Sequence, residues 1–404
     1  MNKRTFSAPI IIGSAALLLL LTACASAPPR TSPLPEHLEA QTTVLGSAEF
    51  RYWADAAPAE ANEWYSASDE EYQTLRAGIM AVEHHYLALS GGGENGAFSA
   101  GLLAGWTASG QRPEFTMVTG VSTGALIAPY AFLGADYDDV IKDVYTNYAA
   151  EDLVNERGFF KAIRNDAVTD ALPMKEIIDR YMIPEVMEKI AVEHRKGRML
   201  LIGTTNLDAA RPVMWDIGEI AASGHPGALD LIRNLQWASA SIPVGIPPVM
   251  IESEAGGQRY DEMHVDGGVT MQVFLYPLGI DWARLKERLK LPSEPKVYVV
   301  RNGYLDPRWQ SMERKLVPIA GRTINSLIRT QGIGDIYRMY VGTQRDGLDF
   351  NLAYIPVEFA LTVPEKSGLV YMNHLYDMAY AKAKAGYPWE STPPGVKAVV
   401  VEAQ

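Results

Sequence analysis

Three short stretches of this chain carry residue types at spacings that could do chemistry. The first is Gly120-Val-Ser122-Thr-Gly124, set between the apolar run 115–119 and a second apolar run from Ala125. A serine hydroxyl attacks a carbonyl only if a tight strand-to-helix turn holds it out, and a glycine on either side removes the Cβ groups that would clash there. A helix opening at such a turn also brings its positive end close to charge that develops on the serine. The second stretch is Gly91-Gly-Gly-Glu-Asn-Gly96, which directly follows the apolar run 85–90. The third is Asp266-Gly267-Gly268, a carboxylate after another short β-like run with bare backbone beside it.

The glycine loop supports three readings. Gly-x-Gly-x-x-Gly after a strand is the pattern of a dinucleotide cradle, and Glu114 stands close to the spacing of a ribose-binding acid. Alternatively, the free amides of the loop form an oxyanion site. A tight turn without chemistry is the third. Glu94 inside the loop and the absence of lysine there count against a phosphate ligand.

An activated serine needs a base. Of the seven histidines, His37 falls in a proline-rich stretch, His84 and His85 open a strand, His194 ends a basic helix, and His225 precedes a proline. His264 and His374 remain as candidates, and each also suits an ordinary structural role. A carboxylate can replace histidine if burial near the nucleophile raises its pKa, and Asp266 at a strand end is the candidate. Asp261 and Glu262 compete with it as acids.

The surrounding elements must position these groups. Ser68 with Glu71 makes a capping box that opens a helix carrying Tyr72, Leu75 and Ile79 at helical spacing. Strand, glycine loop and helix run through 85–108, and a second βα unit through 115–133, which favours a parallel sheet with helices on both faces. Helical patterns follow at 137–148, 172–193 and 227–238, the last stopped by Pro243. Strands are expected at 198–205, 212–217, 248–252, 260–265 and 296–301. The last hundred residues alternate helical patterns at 311–330, 335–343 and 369–385 with a strand at 397–401.

The ends and the composition set the outer limits. Lys3 and Arg4 precede an apolar run from Ile10 to Ala23, shorter than the roughly 20 residues that span a bilayer as a helix, so residues 1–23 read as a signal peptide. The run stops at Leu21-Thr-Ala-Cys24, which resembles a bacterial lipobox, and Cys24 is the only cysteine. By that resemblance the mature chain starts at a lipidated Cys24 on the cell envelope, with Ala25 favouring the outer membrane. Residues 24–39 hold Pro28, Pro29, Pro33 and Pro35 and form a stalk, and 40–82 a lead-in or strap. The net charge of −12, without clustered lysine and arginine, argues against nucleic acid as a partner. No metal or cofactor is expected.

Ser90-Gly-Gly-Gly-Glu-Asn-Gly96, Gly120-Val-Ser-Thr-Gly124 and Asp266-Gly-Gly268, in that order, resemble the patatin-like phospholipase family. Thr204-Thr-Asn-Leu-Asp208, Arg211-Pro-Val and Ala238-Ser-Ala-Ser-Ile-Pro243 resemble further blocks of that family, so the likeness runs over about 83–270. It implies a three-layer α/β/α fold with a mostly parallel sheet, a catalytic core over 83–280 and an extension over 281–404 packed on it. It also implies a Ser122 and Asp266 dyad without histidine, an oxyanion held by Gly91, Gly92 and Gly93, and lipid or other acyl-ester substrates. Gly96, Gly120, Gly124, Gly267 and Gly268 would support these motifs. The family often has arginine or lysine where this chain has Asn95, a departure that bears on phospholipid preference more than on ester hydrolysis. The alternatives are an α/β-hydrolase-type esterase using His374 and a non-catalytic outer-membrane lipoprotein module.

Overall fold

The computed structural model describes residues 30–396 apart from 31, 59–60, 157–166, 168, 308 and 364–366. The signal segment, Cys24 and the strand expected at 397–401 lie outside the described residues.

Nine strands make the central sheet. In chain order they are β1 (Arg51–Trp53), β2 (His85–Leu89), β3 (Met117–Val121), β4 (Met199–Asn206), β5 (Arg211–Asp216), β6 (Val249–Ala255), β7 (Gln258–Asp266), β8 (Lys296–Arg301) and β9 (Asp349–Tyr354). Strands β4, β3, β2, β8 and β9 lie side by side and parallel. The remainder of the sheet is antiparallel, so it is mixed rather than wholly parallel. The cause is local: only the turn residues 207–210 join β4 to β5, and a parallel return needs a crossover of a dozen residues or more. The end of β7 then pairs antiparallel with β4, Thr204 opposite Asp266, which carries that aspartate to the edge where β3 ends.

The parallel strands are buried on both faces, and their side chains sort by the two-residue period of a strand. Leu87, Leu89, Val118, Leu200, Ile202, Tyr298 and Val300 enter one core. Tyr86, Ala88, Met117, Met199, Leu201, Val297 and Val299 pack against the other. The first core lies under α2 (Gly96–Ala108), α3 (Thr123–Leu133), α7 (Ala228–Ser239) and α9 (Gly368–Lys384). The second lies under residues 271–289 and the inner part of α8 (Leu316–Asp346). These are the three layers of an α/β/α fold.

Helix α1 (Asp69–Arg76) starts at Ser68 with both bonds of the capping box formed. The helical pattern of 172–193 divides into α5 (Leu172–Tyr181) and α6 (Pro184–Arg195), because the residue before a proline avoids the helical region and Ile183 is extended at φ −98° and ψ 165°. Conversely, the patterns at 311–330 and 335–343 fuse into α8, which runs through Gly332 and Gly334. Between α3 and α5, α4 (Asp138–Asn147) covers the end of α2.

Helices α2 and α9 meet through glycine. A Cβ on Gly101 would lie 2.2 Å from the Tyr376 carbonyl oxygen, and one on Gly105 2.3 Å from that of Tyr380. Backbone on both sides leaves no flexible side chain to yield. Gly101→Ala should therefore lower stability by roughly 1–3 kcal/mol through overpacking, read as a lower urea midpoint at unchanged m.

Candidate active site

Ser122 occupies the junction of β3 and α3 at φ 55° and ψ −125°. That backbone region strains any residue with a Cβ, at a cost of order 1–3 kcal/mol, so it persists only where the surroundings over-determine it. Here they do. The Ser122 N–H donates to Ser239 Oγ at 2.9 Å, and Ser239 Oγ donates to the Gly203 carbonyl at 2.6 Å. The Ser122 carbonyl accepts from Ala125 N–H at 2.8 Å and so begins α3. A Cβ on Gly120 would be 2.4 Å from the Gly124 carbonyl oxygen, and one on Gly124 2.3 Å from that of Leu89. The turn can close only with glycine at both positions.

Ser122 Oγ donates to Asp266 Oδ2 at 2.6 Å. The other carboxylate oxygen, Oδ1, accepts from Gly268 N–H at 2.7 Å. Gly267 packs against β4, where a Cβ would lie 2.5 Å from the Gly203 carbonyl oxygen. Burial pushes the Asp266 carboxyl up to about 6, against the lowering effect of the hydrogen bonds from Ser122 and Gly268. A carboxylate in that range accepts a proton more readily than an exposed aspartate does.

The glycine loop lies beside this pair: a Cβ on Gly91 would be 3.1 Å from Ser122 Cβ. Gly91 N–H donates to the Gln272 carbonyl at 3.0 Å, whereas the amides of Gly92 and Gly93 have no protein acceptor among the described residues. Gly92 is pressed against Asn302, with 2.2 Å between a would-be Cβ and the Asn302 carbonyl oxygen. Glu94 accepts from Gly368 N–H at 3.2 Å with each carboxylate oxygen, at the positive end of α9. Asn95 Oδ1 accepts from the Tyr371 hydroxyl at 2.6 Å. The two residues that break the glycine run thus tie the loop to the C-terminal helix. Gly96 packs on Thr123 and Tyr145.

The structure removes two readings of the sequence. His374 lies on the outward face of α9, exposed, with Nδ1 bonded to Val370 O of its own helix, because Tyr371, Met372, Leu375 and Tyr376 take the inward positions. It is no base for Ser122. Glu114 precedes β3 and pairs with Arg198 at 3.3 Å, at the opposite edge of the sheet from the loop that follows β2, so it cannot serve a dinucleotide there. The competing acids are also engaged elsewhere. Asp261 pairs with Arg30 at 2.8 Å, and Glu262 accepts from Arg51 at 2.7 and 2.8 Å and from Asn206 at 2.9 Å. His264 is buried against Thr204 at 2.9 Å.

Four residues that the sequence did not single out complete the site. Ser239 holds the Ser122 amide, and it stands in the Ala-Ser-Ala-Ser stretch ahead of Pro243, where only the resemblance drew notice. Gln272 bridges the two loops: its carbonyl takes Gly91 N–H, and its Nε2 donates to the Gly268 carbonyl at 2.7 Å. Asn302 receives Ser99 N–H and Oγ on Oδ1 and donates to Ser90 through N at 2.8 Å and Nδ2 at 2.9 Å. Arg301, at the end of β8, donates to the Gly91 carbonyl at 3.3 Å and to Gln272 Oε1 at 3.1 Å.

Ser122, Gly93 and Glu94 open on a cavity of about 300 Å³. Its walls are apolar, including Leu126, Ile127, Ile141, Val144, Met174 and Ile178.

A strained serine at the carboxyl end of a parallel strand, bonded to a buried carboxylate beside unengaged backbone amides, thus lies within a three-layer α/β/α fold. Residues 87–278 match the family model for patatin-like phospholipase. Among solved structures, VipD from Legionella pneumophila is similar at 13% identity and a TM-score of 0.36, over 75% of this chain and 66% of that one. The chain thus spans just under two thirds of that protein's length. No curated protein matches the chain.

Asp266 links the site to stability. Its folded pKa lies above that of an unfolded aspartate, so its contribution is fully favourable below pH ~4 and is lost as pH rises through about 6. Asp266→Asn should therefore be more stable than wild type at pH 8, by up to roughly 3 kcal/mol, with the difference vanishing below pH ~4. Urea titrations of both proteins across that range measure it.

Proposed function

We propose that the chain hydrolyses carboxylic esters of lipids, with Ser122 as nucleophile and Asp266 as its base. The observation that carries this reading is the 2.6 Å bond from Ser122 Oγ to a buried carboxylate of raised pKa, at the mouth of an apolar cavity.

The chemistry follows from the geometry. Ser122 Oγ attacks the ester carbonyl carbon while its proton passes to Asp266 Oδ2. The electron pair of the C=O bond moves to the carbonyl oxygen, and the N–H groups of Gly92 and Gly93 receive the resulting oxyanion. The positive end of α3 favours the same charge. On collapse, the C–O bond to the alcohol breaks and Asp266 protonates the leaving oxygen. Water then attacks the acyl-enzyme, gives its proton to Asp266, and Ser122 regains one as the fatty acid leaves. The acyl chain occupies the apolar cavity, where its methylenes are worth about 0.8 kcal/mol each on burial.

By the same reading the protein is lipidated at Cys24 and held on the bacterial envelope, next to lipid substrate. Its support is the signal architecture of residues 1–23 together with exposed apolar side chains near the site, Ile242, Val244 and Val269.

Ser122→Ala should abolish both ester hydrolysis and labelling by a fluorophosphonate, and Asp266→Asn should lower kcat by roughly 10²–10⁴-fold. Hydrolysis retained by Ser122→Ala removes Ser122 as the nucleophile, and an absence of both hydrolysis and labelling in wild type speaks for a binding module instead. In wild type, kcat/KM should fall tenfold per pH unit below about 6, as Asp266 takes up a proton. His374→Ala should match wild type. Ile178→Trp, which fills the cavity wall, should shift the preference among p-nitrophenyl esters toward shorter acyl chains.

A further inference from the structure

The Gly91–Gly92 peptide is oriented by an arginine from a distant strand. Its carbonyl oxygen accepts from two donors, Ser90 Oγ at 2.7 Å and Arg301 Nη1 at 3.3 Å. In a trans peptide the carbonyl and the N–H point to opposite sides of the unit, and the described residues contain no cis bond. The N–H of this peptide belongs to Gly92, and it has no protein acceptor among the described residues. Two donors on one side therefore leave one unengaged donor on the other, next to Gly93, which lines the cavity with Ser122.

Arg301 is an expensive residue to place there. It is 4% exposed, and burial lowers its pKa to about 10 despite the opposing influence of Asp335 on α8. Its Nε has no partner among the described residues. Gly332 packs on the guanidinium, where a Cβ would be 2.9 Å from Cζ, so α8 itself is shaped around the group. Asp335 does not take a hydrogen bond from it; its Oδ2 accepts from Gln272 N–H at 2.7 Å and its Oδ1 from Arg338 at 3.1 Å. The two recorded acceptors of the guanidinium are the Gly91 carbonyl and Gln272 Oε1, and both belong to the site. The glycine loop itself supplies no cation, since Glu94 and Asn95 are its only residues with long side chains.

We propose that Arg301 is a positioning residue for the oxyanion site. Its guanidinium holds the Gly91–Gly92 peptide with the carbonyl inward and the Gly92 N–H presented to the oxygen of the tetrahedral intermediate. A donor on the carbonyl also polarises the peptide, which makes the opposite N–H a stronger donor. Through Gln272 Oε1 the same group fixes the side-chain amide whose Nε2 holds the Gly268 carbonyl, so one cation sets both the oxyanion loop and the loop that carries Asp266.

The inference rests on the hydrolase reading above, and a pair of inhibitors separates the two. A fatty-acyl trifluoromethyl ketone adds the serine and forms an anionic hemiketal. The corresponding fatty amide keeps a neutral, planar carbonyl. In Arg301→Met, kcat should fall roughly 10–10³-fold, at most the loss seen when an oxyanion donor is removed outright, with KM within about threefold. Ketone affinity should fall by the same factor as kcat/KM, while amide affinity stays within about threefold. Arg301→Lys, which restores the charge, should recover at least a tenth of the lost rate.

Circular dichroism and thermal melting establish that each variant is folded. Should Arg301→Met fail to fold, Ser90→Ala removes the other donor to the same carbonyl and should show the same split on a smaller scale, about threefold to tenfold by the general worth of one hydrogen bond. Equal losses for ketone and amide, or unchanged kcat in folded Arg301→Met, overturn the proposal. A wild-type protein that neither hydrolyses the ester nor binds the ketone overturns the hydrolase reading itself, and this inference with it.

Discussion

A residue with a Cβ held at φ 55° returns to an unstrained conformation unless its neighbours prevent it, and most of the site can be understood as what prevents it for Ser122. Its N–H is held by Ser239, its carbonyl by the first turn of α3, and its hydroxyl by Asp266. Each of these partners needs its own anchorage. Ser239 ends α7 and bonds to β4, while Asp266 ends β7 and reaches Ser122 because β7 pairs with that same strand. Strand β4 is thus the common reference for groups that lie far apart in sequence. The strain is local, but the means of holding it involve three of the nine strands.

The segment that matches the family does not hold the site unaided. The family match ends at residue 278, yet Asn302 and Arg301 brace the glycine loop from β8, and Asp335 holds the Gln272 amide from α8. Gly368 and Tyr371 on α9 take Glu94 and Asn95. These contacts come from the last third of the chain, and they converge on the one loop whose backbone amides must be correctly turned. A loop of three glycines has many accessible conformations, so the ordering must come from outside it. The two non-glycine residues of the loop serve that purpose, which accounts for an acid in a place where, from sequence alone, it looked like an obstacle to an anion.

The sequence made the chemistry-bearing positions legible and left their supports largely hidden. Ser122 between two glycines and Asp266 before two more stand out because strained turns and close approaches admit few residue types, and such restrictions are written locally. The βα units around them were readable for the same reason, from periodicity and punctuation. Arg301 carried no local sign: it closes an ordinary apolar strand, and its meaning depends on β8 lying next to β2, which no pattern within either strand encodes. The antiparallel return of β5 was legible in principle from the short 207–210 turn, but the parallel pattern of the preceding units obscured it. Strand β9 and the helix Trp282–Leu289 are short elements that the sequence reading did not single out, and the fusion of α8 across Gly332 is intelligible only once the guanidinium beneath that glycine is known.

Two buried ionisable groups, Asp266 and Arg301, oppose folding through desolvation, and each is bonded to the backbone of one loop of the site, Gly268 and Gly91. A direct ion pair between them would relieve both, and it would also ruin both: Asp266 would lose its raised pKa, and Arg301 would leave the Gly91 carbonyl. The fold keeps them apart with Gln272, a neutral side chain that accepts from the arginine at one end and donates to the Gly268 carbonyl at the other. An amide can transmit orientation between the two loops without transmitting charge. A carboxylate at that position would pair with Arg301 and leave the Gly268 carbonyl without its donor. Neutrality at residue 272 is therefore as much a requirement of the site as the charges it separates.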